Sequence, residues 1–499
     1  MKNNVLKYLI IAVVISFISK NALAQDDYEK WLRKENERIS TYISNEDKAF
    51  ADFLEKEWKQ FKLSQGFKFD NKPKPENIPK LDTAEDIVIE AEFKNLPAIK
   101  VPVQKVEKKP IQEEIKDRSP SIETLKEVPS AFIKIDFDFY GSEQLIRIPD
   151  SFREKLQGKL DNKSISNYWK VLSAENTEAV LNQIENSVRK MKLNDWGTLI
   201  FTNSLAKAIH PNNRNEQHIL VWYLLNKLGY KTKICYSNDI TYLVVPSRNK
   251  IFSISMLPSD IDNEKNYIFD LSDISHQVKG NIYTYEGDYP KANKLFEMEI
   301  NSPLQINNIE NEKELKFSYQ TNDYKVPVKY DSGNIKFFKD YPYTNLEVYF
   351  NSKVNTPTQT SLLNSLQQII KDKSEPIAAN MLLRFVQTAF GYKTDDMNFG
   401  REKPLFTEET LYYSDSDCED RAVLFSYLVK NLLGLDVIGL DYPGHVATAV
   451  NFNVSVPGDN LMYKGETYTI CDPTYINAYI GMAMPEVKGL QLENIIELK

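Results

Sequence analysis

Cysteine and histidine are both scarce in this chain of 499 residues: Cys235, Cys418 and Cys471 are the cysteines, and His210, His218, His276 and His445 the histidines. An odd number of thiols, and so few, excludes a disulfide framework. The paired spacings of a zinc site, the glycine pattern of a phosphate loop and the DxDxDG order of a calcium loop are absent too, so neither metal nor cofactor is expected. Cations do not predominate: 62 Lys and Arg stand against 70 Asp and Glu, a net charge of -8. That balance argues against nucleic acid as a partner, since phosphate binding needs clustered positive charge.

Long apolar runs are missing beyond residue 18. Tyr8 to Ile18 is apolar, preceded by Lys2 and Lys7 and followed by Ala22-Leu23-Ala24. This is the pattern of a signal peptide cleaved after Ala24, too short for a comfortable membrane span. The expectation is an exported protein, periplasmic or secreted, with no stable membrane span after cleavage.

What remains is 42% hydrophobic and 26% charged, which is a globular composition long enough for two or more domains. Residues 25–62 read as a helical segment, with Phe50, Leu54, Trp58 and Phe61 at helical spacing. Residues 63–130, rich in Pro, Lys and Glu, read as an extended linker. Beyond it the chain repeats itself at an offset of about 180–205 residues. ILVWYLLNKLGYKTKI from Ile219 parallels VLFSYLVKNLLGLDVI from Val423, and YIFDLSD from Tyr267 parallels YTICDPT from Tyr468. The expectation is an α+β fold in two tandem copies, 131–290 and 313–499.

Cys235 and Cys471 fall in strand-like runs, where a small buried hydrophobe is the ordinary role. Cys418 is different. It opens an apolar helical run within SDCEDRAVLFSYLVKNLLGL, with Ser416 or Asp417 as N-cap and Asp420 one turn on. A helix N-terminus favours a thiolate, an imidazole can take and return its proton, and a carboxylate can fix that imidazole's tautomer. His445, at the mouth of the strand HVATAV, is the one histidine in the same copy, and Asp472 follows the strand YTIC. Two adjacent strands could set them side by side, facing the helix start.

These three segments resemble the transglutaminase-like superfamily of papain-like cysteine enzymes. Ser416, Asp417, Cys418 and Asp420 match its (G/S)DC-x-D pattern, and Asp472, Pro473 and Thr474 its strand-DPT pattern. Val446-Ala447 stands where the family often has an aromatic after the histidine. The likeness runs from about Ala378 to Ala483. It implies Cys418 as nucleophile, His445 as base and Asp472 as orienting acid, acting on a protein or peptide through a thioester. The Cys418 N–H plus one more donor would hold the oxyanion; Gln387 is the candidate, with Tyr412 and Tyr413 as rivals. Hydrolysis as a peptidase or amidase leads. Transfer to an amine, cross-linking proteins, is one alternative, and a non-catalytic binding or scaffold protein another. The first copy has Asp270 at the place of Asp472 but neither thiol nor imidazole, and His218 reads as structural. Residues 391–417, a longer connection than the first copy has, are expected to shape the cleft.

Overall fold

A computed structural model describes residues 45–56, 58–68, 74–81, 93–99 and 132–499, the last without 176, 259–263, 275 and 308–309. The expected signal peptide and most of the expected linker lie outside the described residues. Among these, no helix is long and apolar enough to cross a membrane.

The protein is mixed α and β, with two five-stranded sheets. In the first half a hairpin, β2 (Ile133–Phe139) and β3 (Ser142–Ile148), precedes helices α1 (Glu178–Met191), α2 (Asp195–Ile209) and α3 (Arg214–Lys227). Strands β4 (Lys233–Ser237), β5 (Ile240–Ser247) and β6 (Lys265–Phe269) follow, then β7 (Asn281–Tyr285). The second half gives hairpin β8 (Glu310–Tyr319) and β9 (Asn322–Asp331), then helices α4 (Thr356–Ile369) and α5 (Glu375–Thr388). A two-residue parallel pair, β10 (Gly391–Tyr392) and β11 (Asp415–Ser416), brackets the long connection before α6 (Cys418–Leu428). Strands β12 (Asp436–Tyr442), β13 (His445–Asn451), β14 (Asn460–Tyr463), β15 (Glu466–Cys471) and β16 (Asn494–Glu497) complete the second sheet.

The two sheets share an arrangement. β4–β5–β6 and β12–β13–β15 are neighbours in the same order, antiparallel throughout. Each lies behind a helix buried almost all round, α3 in one and α6 in the other, with polar as well as apolar side chains inside. The core is shared: one apolar cluster runs from Trp169, Trp196 and Trp222 through Phe406 to Cys418, Ala422 and Val446.

The N-terminal segment departs from its expected single helix. Residues 45–54 are helical and bury Phe50 and Leu54, but Trp58 and Phe61 lie on strand β1 (Trp58–Lys62), paired antiparallel with β7. A row of half-buried aromatics satisfies either period, and the free edge of β7 decided. The described parts of the linker are also docked: Ser64 bridges to Met256, Phe67 to Phe252, Lys80 to Ile476 and Ala98 to Ser374.

Candidate functional site

Three elements converge on one place. α6 begins with Cys418, β13 begins with His445, and Asp472 follows β15, which pairs with β13 through Thr448 and Cys471. The turn Pro443-Gly444 before β13 is tight, with Gly444 at φ +77°, a region that glycine enters without cost.

His445 and Asp472 meet. Nε2 of His445 lies 2.9 Å from Oδ2 of Asp472, and both side chains are buried. The other carboxylate oxygen of Asp472 accepts from the N–H of Thr474 at 2.9 Å, so the DPT turn holds the acid that holds the base. Nδ1 of His445 is buried with no hydrogen-bond partner among the described residues. With Nε2–H directed to the carboxylate, Nδ1 is the nitrogen left to accept a proton.

Cys418 does not join them directly. Its thiol donates to Oε2 of Glu419 at 3.1 Å, and no hydrogen bond among the described residues links it to His445. Burial, then the charges of Glu419 and Asp417, push the thiol well above its ordinary pKa, so it rests protonated.

The reason is a carboxyl cluster that sequence reasoning did not assemble. Asp395, Glu402, Asp417 and Glu419 surround the ammonium of Lys74, at 3.5 Å from Asp395, 3.1 Å from Glu402 and 2.8 Å from Asp417, with Glu419 in direct contact. Burial and like charge raise Asp417 and Asp420 and lift Asp395 to about 7. Burial opposes ionisation of Glu419 too, but Lys74 and the hydrogen bonds it accepts outweigh burial and hold it below the usual range. Glu419 is therefore the anion of the pair with Lys74. The ligand oxygens sit close enough to grip a cation, and the cation they grip is this ammonium.

Asp417 and Asp420 stand at the start of α6. Oδ2 of Asp420 accepts from the Asp417 N–H at 3.2 Å, and Oδ1 from the Leu405 N–H at 2.7 Å, while the Asp417 carboxyl turns to Lys74. Ser416 Oγ accepts from Nε of Arg421 at 3.1 Å. That buried guanidinium also donates to the carbonyls of Phe390 and Gly391 and stacks over the Tyr392 ring, tying the long connection to α6.

Gln387 is a correction. Its amide Nε2 lies 2.8 Å from the carbonyl of Tyr475, 2.9 Å from that of Ala478 and 3.2 Å from that of Asp472. Both N–H groups are committed to bracing the turn after β15, which leaves none for an oxyanion. Tyr412 is more than a third exposed, and both it and Tyr413 lend their backbone carbonyls to Lys313. Tyr392, missed in the sequence, pairs with Ser416 across β10 and β11, and its buried hydroxyl has no partner among the described residues. Cys418 and Asp417 are near enough to add to the upward shift that burial gives its phenol. Only the fold brings residue 392 beside residue 416.

The first half holds a different set at the corresponding places. α3 begins with Arg214, and Asp270 follows β6 as Asp472 follows β15. The closing pair of the β4–β5 hairpin is Ser237 with Ile240, where β12–β13 has Tyr442 with His445. Arg214, Ile240 and Asp270 thus stand for Cys418, His445 and Asp472, and Arg214 pairs directly with Asp270. His218 is buried one turn into α3, its Nδ1 2.6 Å from the Thr241 carbonyl, and burial lowers its pKa to about 4.

No family model matches the chain, and neither a curated protein nor a solved structure matches it.

Proposed function

We propose that the second half carries a thiol-dependent acyl-transfer site, with Cys418 as nucleophile, His445 as base and Asp472 as the group that orients it. The observation that carries this reading is the His445–Asp472 pair at 2.9 Å, its Nδ1 without a partner among the described residues, on a strand packed against the helix that Cys418 begins. The transglutaminase-like, papain-like arrangement is the fold reading that goes with it. The first half is then a duplicate without the nucleophile and the base.

In this reading His445 takes the thiol proton and the sulfur attacks the carbonyl carbon of an amide in a protein or peptide. The C–N bond breaks, the amine leaves with the proton from the imidazolium, and a thioester remains. Water then adds with His445 as base, and the acid is released as the thiol is restored. An amine in place of water gives transamidation. The Cys418 N–H at the start of α6 and the Tyr392 hydroxyl are the donors proposed for the oxyanion. The described state is a resting one, its thiol protonated and turned to Glu419.

That same hydrogen bond favours a second reading, a non-catalytic binding protein in which Cys418 is inert. Iodoacetamide alkylation of Cys418 from pH 4 to 9, with His445→Ala alongside and mass spectrometry to assign the site, decides between them. The catalytic reading expects alkylation that slows in the variant, even though burial and the neighbouring acids hold the resting thiol above its ordinary pKa. A profile indifferent to His445 leaves the binding protein.

A further inference from the structure

Residues 74–81 belong to neither sheet, yet they cross the candidate site from one wall to the other. At one end the N–H of Ile476 donates to the Pro79 carbonyl at 3.1 Å and the N–H of Leu81 to the Ile476 carbonyl at 3.0 Å. Nδ2 of Asn477 adds a bond to the Leu81 carbonyl at 2.6 Å. Ile476 and Asn477 lie in the turn that begins at Asp472. Ile78 and Leu81 pack on the apolar cluster that holds Leu440 and Tyr442 of β12, Ala447 of β13 and Tyr475 of the turn after β15. At the other end the Lys74 side chain, 13% exposed, enters the four-carboxylate pocket next to Cys418.

Backbone pairing, apolar side chains in contact and one charged side chain in a deep pocket make up the manner in which proteins hold extended peptides. The pocket also needs such a guest. Carboxyls packed this closely and shielded from water oppose one another's ionisation unless a cation lies among them. Nothing in the chemistry of the pocket requires that the ammonium come from residue 74.

We propose that residues 74–81 are a peptide bound in cis across the candidate site, and that the cleft beneath them receives an extended segment whose lysine-like ammonium enters the Asp395–Glu402–Asp417–Glu419 pocket. While the cis segment is seated, Cys418 is covered. A competing segment with a cation at the right distance displaces it. The inference rests on the proposed catalytic role of Cys418 only for its consequence in regulation, because coverage of a thiol can be read whether or not that thiol reacts with a substrate.

The test measures iodoacetamide alkylation at each cysteine of the full chain in wild type, Lys74→Ala and Leu81→Asp. Leu81→Asp loosens the apolar anchor while keeping the ammonium, so the conclusion does not depend on how the pocket tolerates losing its cation. The expected result is alkylation of Cys418 about tenfold faster or more in both variants, in proportion to the uncovered fraction. Cys235 and Cys471 stay slow, which excludes general unfolding. A synthetic peptide of residues 70–84, added to Leu81→Asp, restores protection, and the same peptide with alanine for Lys74 does not. Unchanged rates in both variants overturn the proposal, as does equal protection by the two peptides. Faster alkylation that is indifferent to His445→Ala leaves the cis peptide standing and removes the catalytic reading instead.

Discussion

Arg214 pairs with Asp270 across the same helix start and strand end that, in the second half, hold Cys418 and Asp472 apart with His445 beside the acid. One framework thus carries an ion pair in one half and a thiol, an imidazole and a carboxylate in the other. Asp270 is almost fully buried, so its partner matters. Replacing Arg214 with methionine should lower stability by about 1–3 kcal/mol, because the buried carboxylate loses its charged donor and keeps the Ser272 N–H at 3.0 Å. Arg214→Met with Asp270→Asn should recover part of that loss. Urea midpoints of the two single variants and the double variant measure the coupling.

Asp472→Asn separates orientation from folding. The amide oxygen can still accept from Thr474, so the turn should persist and the melting temperature should change little. The amide NH₂ facing Nε2 of His445 forces the imidazole proton onto Nδ1, and that nitrogen can no longer accept. Alkylation of Cys418 should fall to the level of His445→Ala. Retention of the wild-type rate would show that Asp472 does not set the tautomer.

Tyr392→Phe removes one buried hydroxyl that has no partner among the described residues, and nothing else. Acylation by p-nitrophenyl acetate should slow by about 10²-fold or more if the phenol supports the oxyanion. Alkylation by iodoacetamide forms no oxyanion and should be unchanged. Equal effects on the two reactions would assign Tyr392 to packing beneath Arg421.

Glu408 offers a prediction away from the thiol. Burial lifts its carboxyl to about 7 from an ordinary 4.5, although the N–H of Asn355 and the amide of Asn334 oppose the shift. The folded chain keeps a proton there that the unfolded chain releases. The stability due to this group is therefore full below about 4.5 and is lost as pH rises through 7. Glu408→Gln has no proton to lose. Its stability relative to wild type should rise between pH 4.5 and 7, by on the order of 3 kcal/mol. Denaturant titrations at pH 4.5 and 7.5 check the sign; a constant difference would mean the carboxyl is already ionised.

The sequence by itself determined which segments could carry chemistry. Scarcity singled out Cys418 and His445, and the acid after the strand YTIC gave Asp472; these are local signals, a helix start and two strand ends. Local signals also sufficed for the succession of hairpin, helices and strands in the two halves, because apolar periodicity is written in consecutive residues. The tertiary structure decided what depends on contacts between distant positions. It set His445 2.9 Å from Asp472 but gave the thiol to Glu419. It turned Gln387 inward to brace a turn, since a buried amide must find carbonyls where the fold supplies them. It took Trp58 and Phe61 from a helix into a strand, because β7 presented an unpaired edge. And it carried Lys74, from a stretch whose composition reads as linker, over more than three hundred residues of sequence into a ring of carboxyls. No periodicity or motif announces such a contact, because the electrostatic demand that it meets exists only once the acids are folded together.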